Sequence, residues 1–286
     1  MRTHSLVTPL AIFYIVLWAS AYVPSKVAAT GSPPLWFLVA RFSAAGVLMG
    51  VIALGMRRPF PRQWAVYAVL GVLANAAYLG CTYTALGQGL AAGIASIVAS
   101  TNPLILALVA PRLLNEPLTS LKALGLALGF GGVIGVVLAR GGSTSAQPAL
   151  VGLAFAGVAS NVASTILFKR ARGSTDLLAI NTIQLVAAGL VLVPVAWVLE
   201  GQPAVRVSAD LLESFAYLVG VLSVGASLLW FWLLSRGAAS RVSAFYFLTP
   251  VFGLFFGAAL LNETVVPTDA LGLVAIALGI VMVQRG

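Results

Sequence analysis

Polar and aromatic side chains recur at helical spacing inside long apolar stretches of this sequence, where such groups are costly unless they have a partner. Trp18 and Tyr22 are four residues apart, and Asn75 and Tyr78 are three apart. A separation of three or four residues places two side chains on one face of a helix. These residue types can stack on the apolar part of a small molecule and hydrogen-bond its polar part, so we predict that all four bind substrate.

Further apolar stretches carry polar groups with the same spacing. These candidates are Ser96, Ser100, Ser160, Asn161, Ser164, Ser243 and Tyr246. Small polar residues also let helices approach one another and hydrogen-bond across their interface. For the serines this packing role stays open beside substrate binding. We count Ser96, Ser100, Asn161, Ser164, Ser243 and Tyr246 among the predicted substrate-binding residues.

Arg41 is a cation about a third of the way into an apolar stretch. An ionised group at that depth costs several kcal/mol unless it meets a partner or a wet cavity. Arg41 could attract a substrate carboxylate, or it could tie helices together by donating to carbonyls. Both interpretations stay open at this point, and Arg41 joins the candidate substrate-binding residues.

Pro103 and Pro250 fall near the middle of two apolar stretches. A proline inside a helix removes one backbone hydrogen bond and clashes with the preceding turn, which here frees the carbonyls of Ala99 and Tyr246. Free carbonyls at membrane depth are tolerable only when they face protein or a wet cavity. We therefore predict that both prolines act as hinges beside a central site.

The elements that must hold these residues are apolar helices. The chain is 60% hydrophobic and 8% charged, whereas charged residues make up about a quarter of a soluble domain. Continuous apolar runs favour helices over the alternating strands of a membrane barrel. The sequence predicts an all-α membrane protein with ten transmembrane helices at about 7–28, 34–55, 64–86, 91–112, 119–138, 149–169, 177–198, 213–234, 241–260 and 267–284.

The second part of the chain repeats the first. An offset of 147 residues aligns Pro103 with Pro250 and Glu116 with Glu263, and a weaker match at an offset of 143 sets Arg41 against Gln184. The interpretation is a first repeat over residues 1–140, a linker at 141–148 and a second repeat over 149–286. Each glutamate is expected to mark a shared turn, where the positive end of the next helix favours it.

Five helices in each repeat is an odd number, so the second repeat must enter the membrane inverted. Inverted repeats are typical of secondary transporters that bind substrate near the bilayer midplane. Basic residues concentrate in cytoplasmic loops, and one face collects most of those in this chain. Both termini are therefore predicted to be cytoplasmic, with the linker outside, in a bacterial inner membrane. The basic residues on that face are Arg2, Arg57, Arg58, Arg62, Arg112, Lys122, Lys169, Arg170, Arg172, Arg236, Arg241 and Arg285.

Missing residue types limit the mechanism. The predicted helices carry no Asp, Glu or His in their interior, so a buried proton relay has no obvious carrier. There is no GxxxxGK[ST] motif for ATP, and nothing suggests a metal, a cofactor, a nucleic-acid partner or a second chain, so a monomer is expected. A membrane-embedded enzyme would need clustered nucleophiles or acids. A membrane scaffold or receptor would show no flux.

Two groups of residues resemble a known repeat. Trp18-Ala-Ser-Ala-Tyr22 followed by Lys26, and then Ala40-Arg41-Phe42, are similar to the opening of the EamA-type repeat of the drug/metabolite transporter superfamily. The end of that repeat resembles Leu114-Asn115-Glu116 and its copy Leu261-Asn262-Glu263. An Asn stands before the Glu where Gly or Phe is usual, which we expect to be a local departure. The resemblance covers the whole chain.

The resemblance implies two inverted five-helix repeats with cytoplasmic termini and a cavity lined by helices one, three, four, six, eight and nine. Within the superfamily the chain looks most similar to the YddG-type aromatic amino acid exporters. That likeness implies export of Phe, Tyr, Trp and other neutral amino acids by alternating access. An organic-anion or sugar-phosphate carrier of the same superfamily is the alternative, although such a carrier is expected to place several cations in its cavity.

Overall fold

The computed structural model describes residues 3–113, 118–139, 147–171, 176–235 and 248–285. Every regular element in these ranges is helical. Ser243 and Tyr246, and nearly all of the predicted linker at 141–148, lie outside the described residues. The helices are α1 (Thr3–Ser20, then Tyr22–Gly31), α2 (Pro34–Gly55), α3 (Trp64–Gly87), α4 (Ala92–Ala99, then Asn102–Leu113), α5 (Ser120–Ala139), α6 (Pro148–Arg170), α7 (Leu177–Glu200), α8 (Ala209–Ala216, Tyr217–Ala226 and Ser227–Ser235), α9 (Thr249–Leu261) and α10 (Pro267–Arg285).

Eight of these helices, α1 to α8, contain an apolar stretch of 18 residues or more, which is enough to cross a bilayer. The apolar helices Thr249–Leu261 and Pro267–Val283 are shorter. The chain is therefore an all-helical, multi-pass membrane protein. The ten predicted segments all correspond to a helix in the described ranges, and eight of them are long enough to span.

Two helix pairs, α2 with α7 and α5 with α10, form the most extensive contacts. The second pair approaches backbone to backbone at glycines. A Cβ on Gly125 would lie 2.7 Å from the carbonyl oxygen of Gly279, and a Cβ on Gly132 would lie 2.7 Å from that of Gly272. The offset of 147 residues makes Gly272 the copy of Gly125 and Gly279 the copy of Gly132. Each glycine thus meets the copy of the other, as a two-fold axis between the two helices requires.

Four helices are irregular near the centre of the bundle. α1 is interrupted at Ala21, and α4 is interrupted between Ala99 and Asn102. α3 and α8 each contain a π-helical segment, Val72–Ala77 and Tyr217–Ala226. The same offset carries the first π segment into the second, so the wider turn is a shared property of both repeats. π turns inside α-helices are frequent at functional sites.

Residue Asn262 ends α9 in the left-handed backbone conformation, with φ of 52°, and Glu263 N–H donates back to Gly257 O over 3.1 Å. Asn tolerates this conformation better than most residues, which accounts for its place before the glutamate. The turn directs Glu263 to another helix. Its carboxylate accepts from the N–H groups of Ala92 (2.6 Å) and Gly93 (3.0 Å) at the start of α4.

Our expectation for Glu263 is therefore only partly right. The residue does mark a turn, but the helix end that it stabilises belongs to the first repeat and not to α10. Glu200, at the end of α7, does the same for α2 by accepting from Leu35 N–H (2.9 Å) and Trp36 N–H (3.1 Å). A carboxylate at a helix N-terminus is favoured by the helix dipole and by the unpaired N–H groups. Two carboxylates of the second repeat thus accept hydrogen bonds from the N-terminal ends of two helices of the first repeat, α2 and α4.

Candidate functional site

A cavity of about 420 Å³, here called the central cavity, lies between α1, α2, α3, α6, α7 and α8. This volume falls within the usual range for small-molecule sites. Its position agrees with a site between the two repeats. The lining residues are Tyr14, Trp18, Arg41, Phe42, Ala74, Asn75, Tyr78, Leu79, Asn161, Ser164, Thr165, Phe168, Leu177, Ile180, Asn181, Gln184, Leu185, Leu222, Ser223 and Ser227.

Aromatic rings form much of the wall. Tyr14 and Trp18 stack at 6.2 Å between ring centroids, with an angle of 24° between their planes. Tyr78 and Phe42 face the same space from α3 and α2. Aromatic faces of this kind give a large apolar contact area to a ligand and favour offset stacking with a second ring. The wall is suited to a ligand with a flat apolar body.

Arg41 is the cation of the lining, and its residue is 7% exposed. Its Nη1 donates to Tyr83 Oη over 2.9 Å, and its Nε lies 3.3 Å from Ser223 Oγ, to which it donates. Tyr83 Oη in turn lies 2.8 Å from Ser25 Oγ. α2 is therefore linked through one guanidinium to α3 and α8, and the hydroxyls of Tyr83 and Ser25 extend the link to α1.

The two π segments border the cavity through Asn75 on α3 and Ser223 on α8. Serines of α6 hold the carbonyls at the α3 segment. Ser160 Oγ donates to Leu73 O over 2.9 Å, and Ser164 Oγ donates to Leu70 O over 3.1 Å. The hydroxyl of Ser164 is thus engaged in the wall, although the residue lines the cavity.

Amide side chains supply most of the remaining polarity. Asn161 Oδ1 accepts from Asn102 Nδ2 over 2.7 Å, which joins α6 to the interruption of α4. Asn181 and Gln184 are three residues apart on α7 and both line the cavity. The Nδ2 group of Asn181 is buried and has no hydrogen-bond partner among the described residues. A buried amide donor without an acceptor is costly until a partner reaches it.

A second space of about 40 Å³ adjoins the central cavity and shares Trp18, Arg41 and Tyr78 with it. Tyr22 lines this smaller space, together with Ser25 and Tyr83. Tyr22 therefore lies beside the central cavity and not in its wall. The site narrows sharply toward this end of the bundle.

The narrow end is held by Lys26. Its Nζ donates to Leu86 O and to Leu90 O, each over 2.7 Å. These carbonyls flank the turn between α3 and α4, whose far side is held by the carboxylate of Glu263 at Ala92. We call the surroundings of Lys26 and Glu263 the Lys26 end. At the opposite end, Leu177 and Ile180 line the cavity and pack beside Tyr67 and Leu70.

The structure brings six of the predicted substrate-binding residues into the lining of one cavity, and it places Tyr22 beside them. Ser96 and Ser100 line neither space; both are buried, and each hydroxyl donates over 2.6 Å to its own helix, at Gly93 O and Ile97 O. The described parts of α4 and α9 do not line the central cavity, in contrast to what the resemblance implied. α2 and α7 line it instead. The six residues are Trp18, Arg41, Asn75, Tyr78, Asn161 and Ser164.

The reason for the displacement of Ser96 is its packing. A Cβ on Gly253 would overlap the Ser96 side chain, so α4 and α9 meet closely at this point. Pro103 and Pro250 both stand at the first positions of a helix, Pro103 just after the interruption of α4 and Pro250 at the start of the described part of α9. Proline is well tolerated there. Their action as hinges stays a prediction.

Sequence reasoning missed several lining residues, and the missed residues carry the same signal as those it found. Asn181 and Gln184 are three apart, and Ser223 and Ser227 are four apart, so each pair shares a helix face. Tyr14 stands four residues before Trp18 on α1. The signal was therefore present in the sequence for all of them. The π segments that border the cavity have no such signal.

Comparison with known proteins identifies a transporter family that matches this chain. The EamA-like transporter family matches residues 6–138 and 149–285. The uncharacterized transporter YvbV of Bacillus subtilis (strain 168) is 27% identical over 278 residues, covering 96% of this chain and 90% of that protein. The uncharacterized inner membrane transporter YedA of Escherichia coli (strain K12) is 27% identical over 277 residues, covering 95% and 88%. A crystal structure with a TM-score of 0.64 covers 98% of each chain at 18% identity, which shows a shared fold.

Proposed function

The chain belongs to the EamA-like transporter family and is a multi-pass membrane transporter, and on that premise we propose that it exports aromatic and other neutral amino acids. The observation that carries the proposal is the central cavity, in which the stacked rings of Tyr14 and Trp18 and the cation of Arg41 line the same space. An aromatic amino acid has a ring for the wall and a carboxylate for the guanidinium. The amides of the lining add adaptable hydrogen bonds.

The shape of the site supports transport by alternating access. Lys26 and Glu263 tie helices together at the Lys26 end, while the cavity extends to Leu177 at the start of α7. Basic residues, including Arg57 and Arg170, concentrate near that other end, which favours a cytoplasmic location for it. Both termini would then be cytoplasmic in an inner membrane. An exporter in this orientation would load its substrate into the cavity from that end.

An organic-anion or sugar-phosphate carrier is the second candidate within the family. Arg41 is compatible with such a carrier, because its positive charge attracts any anion in the cavity. A phosphate dianion is usually held by several cationic groups or by a row of backbone N–H groups. The described lining offers one guanidinium and no lysine, so a carboxylate is the better match.

The test is counterflow of labelled substrates in proteoliposomes that contain the purified protein. The panel is tryptophan, phenylalanine, threonine and a triose phosphate, each with and without an imposed pH gradient. Amino acid flux that empty liposomes lack supports the proposal, and indifference to the gradient identifies a facilitator. Flux of the triose phosphate alone would replace the proposed function by the second candidate. No flux of any member would remove both.

A further inference from the structure

Arg41 has hydrogen-bonding capacity that the protein does not use. A guanidinium has five N–H donors, and the described residues accept from two of its nitrogens, through Tyr83 Oη and Ser223 Oγ. Its Nη2 has no acceptor among the described residues, and Arg41 lines the central cavity. The unused donors of Arg41 therefore face the space that a ligand would fill.

No carboxylate of the described residues balances this charge. None of the acids in these ranges is among the residues that line the central cavity. A buried charge without a partner is expensive, whereas a paired and hydrogen-bonded one is tolerated. The acids of the described residues are Asp176, Glu200, Asp210, Glu213, Glu263 and Asp269.

The second unsatisfied group of the lining is also a donor. Asn181 Nδ2 is buried on α7 without an acceptor among the described residues, and Arg41 presents its donors from α2. A group that only accepts hydrogen bonds matches donors of this kind. A carboxylate is such a group, and an ammonium, which only donates, satisfies neither.

From these observations we propose that the central cavity is a site for organic monocarboxylates with an apolar body, anchored by Arg41, and that the ammonium group of an amino acid is dispensable for binding. The proposal rests on the proposed transport function and deepens it, since it names the chemical feature by which this site selects its substrate. The rings of Trp18 and Tyr78 accept the apolar body. Amino acids bind because they carry a carboxylate, and their amino group adds little.

Three small molecules distinguish the contribution of the carboxylate to binding from that of the ammonium. Phenylalanine carries both, 3-phenylpropionate lacks the ammonium, and 2-phenylethylamine lacks the carboxylate. Binding of each labelled compound to the purified protein is measured directly. We expect 3-phenylpropionate to bind at least as tightly as phenylalanine and 2-phenylethylamine to bind at least about tenfold more weakly, as expected when a charge-assisted hydrogen bond is lost.

Arg41→Gln supplies the residue-level test, and Arg206→Gln is its matched control, because Arg206 is an exposed cation outside the lining. We expect Arg41→Gln to weaken 3-phenylpropionate binding by about 10- to 100-fold and to leave the weak binding of 2-phenylethylamine unchanged or improved. Arg206→Gln should bind all three compounds as the wild-type protein does. Should Arg41→Gln fail to fold, the ligand series on the wild-type protein still decides.

The outcomes separate this inference from the proposed function. Transport of phenylalanine without measurable binding of 3-phenylpropionate would overturn the inference and keep amino acid export. Binding and counterflow of 3-phenylpropionate without transport of phenylalanine would keep the inference and overturn amino acid export. Equal binding of 2-phenylethylamine and 3-phenylpropionate, or full binding by a folded Arg41→Gln protein, would also overturn the inference. Absence of both binding and counterflow for all three compounds would overturn both.

Discussion

Arg41 on α2 and Gln184 on α7, which an offset of 143 residues sets against one another in the two repeats, line the same central cavity. The position carries a charge in the first repeat and a neutral amide in the second. The two repeats therefore share a framework of helices but contribute differently to the site. At this position the first repeat supplies a cation, and the second supplies an amide.

Trp18 is the ring whose removal we expect to weaken binding most directly, since it lines both the central cavity and the smaller space beside it. Trp18→Ala should lower the affinity for an aromatic amino acid by about tenfold, because it removes both apolar area and stacking. Affinity is measured by binding of labelled tryptophan. Trp64→Ala is the control, because Trp64 is 63% exposed at the start of α3. Equal losses in the two variants would contradict the assignment of the cavity.

Tyr83 orients the guanidinium of Arg41 and is not itself in the lining of the central cavity. Tyr83→Phe keeps the ring and removes the hydroxyl that accepts from Arg41 Nη1. We expect carboxylate affinity to fall by about three- to tenfold, as for the loss of one hydrogen bond to a charged group, with less effect on an uncharged aromatic ligand. Competition binding with the two ligand types makes the comparison. An equal loss for both ligands would point to a general packing defect.

Glu263 accepts from two N–H groups at the start of α4, so Glu263→Gln should weaken the contact between Glu263 and α4. The amide loses the charge that the helix N-terminus favours, and we expect a loss of about 1–2 kcal/mol in the stability of this contact. Hydrogen exchange at Ala92 and Gly93 should rise in the variant. Glu213→Gln is the control at an exposed position of α8. Unchanged exchange would show that the carboxylate does not hold the helix end.

Gly132 and Gly131 are adjacent but have opposite environments. A Cβ on Gly132 would meet the backbone of Gly272, whereas one on Gly131 would meet nothing within 4 Å. Gly132→Ala should destabilise the α5–α10 contact by about 1–3 kcal/mol through overpacking. Gly131→Ala should be neutral or stabilising by up to about 1 kcal/mol, because alanine favours the helix. Thermal unfolding in detergent compares the two, and the same sign in both would contradict the close approach.

Pro103 follows the interruption of α4, and its replacement tests the predicted hinge. Pro103→Ala restores a backbone N–H and permits a continuous helix. We expect the turnover number to fall several-fold while substrate affinity stays the same, since the residue does not line the cavity. Proteoliposome counterflow and direct binding separate the two effects. Pro203→Ala, in the exposed segment before α8, is the control.

The sequence predicted most of the helices because lipid requires long apolar runs, and these are visible without any partner. Residues such as Trp18 and Asn75 could be found because helical spacing alone places them on a common face. Ser96 has the same spacing, yet it packs against Gly253, and only the three-dimensional arrangement of α4 and α9 reveals that contact. The bond from Glu263 to α4 spans 171 residues and could not be read from local pattern. The π segments were likewise unpredictable, because a wider turn needs no distinctive composition.

The exchanged glycine contacts of α5 and α10 have a consequence for how this protein can change. If a single repeat paired with an inverted copy of itself, one substitution at Gly125 would alter both crossings at once. In the fused chain Gly125 and Gly272 are separate codons, so the crossing of Gly125 with Gly279 can vary while that of Gly132 with Gly272 is preserved. Fusion of the two repeats therefore doubles the number of positions that can mutate independently in this contact. Selection can then adjust the two glycine crossings between α5 and α10 one at a time.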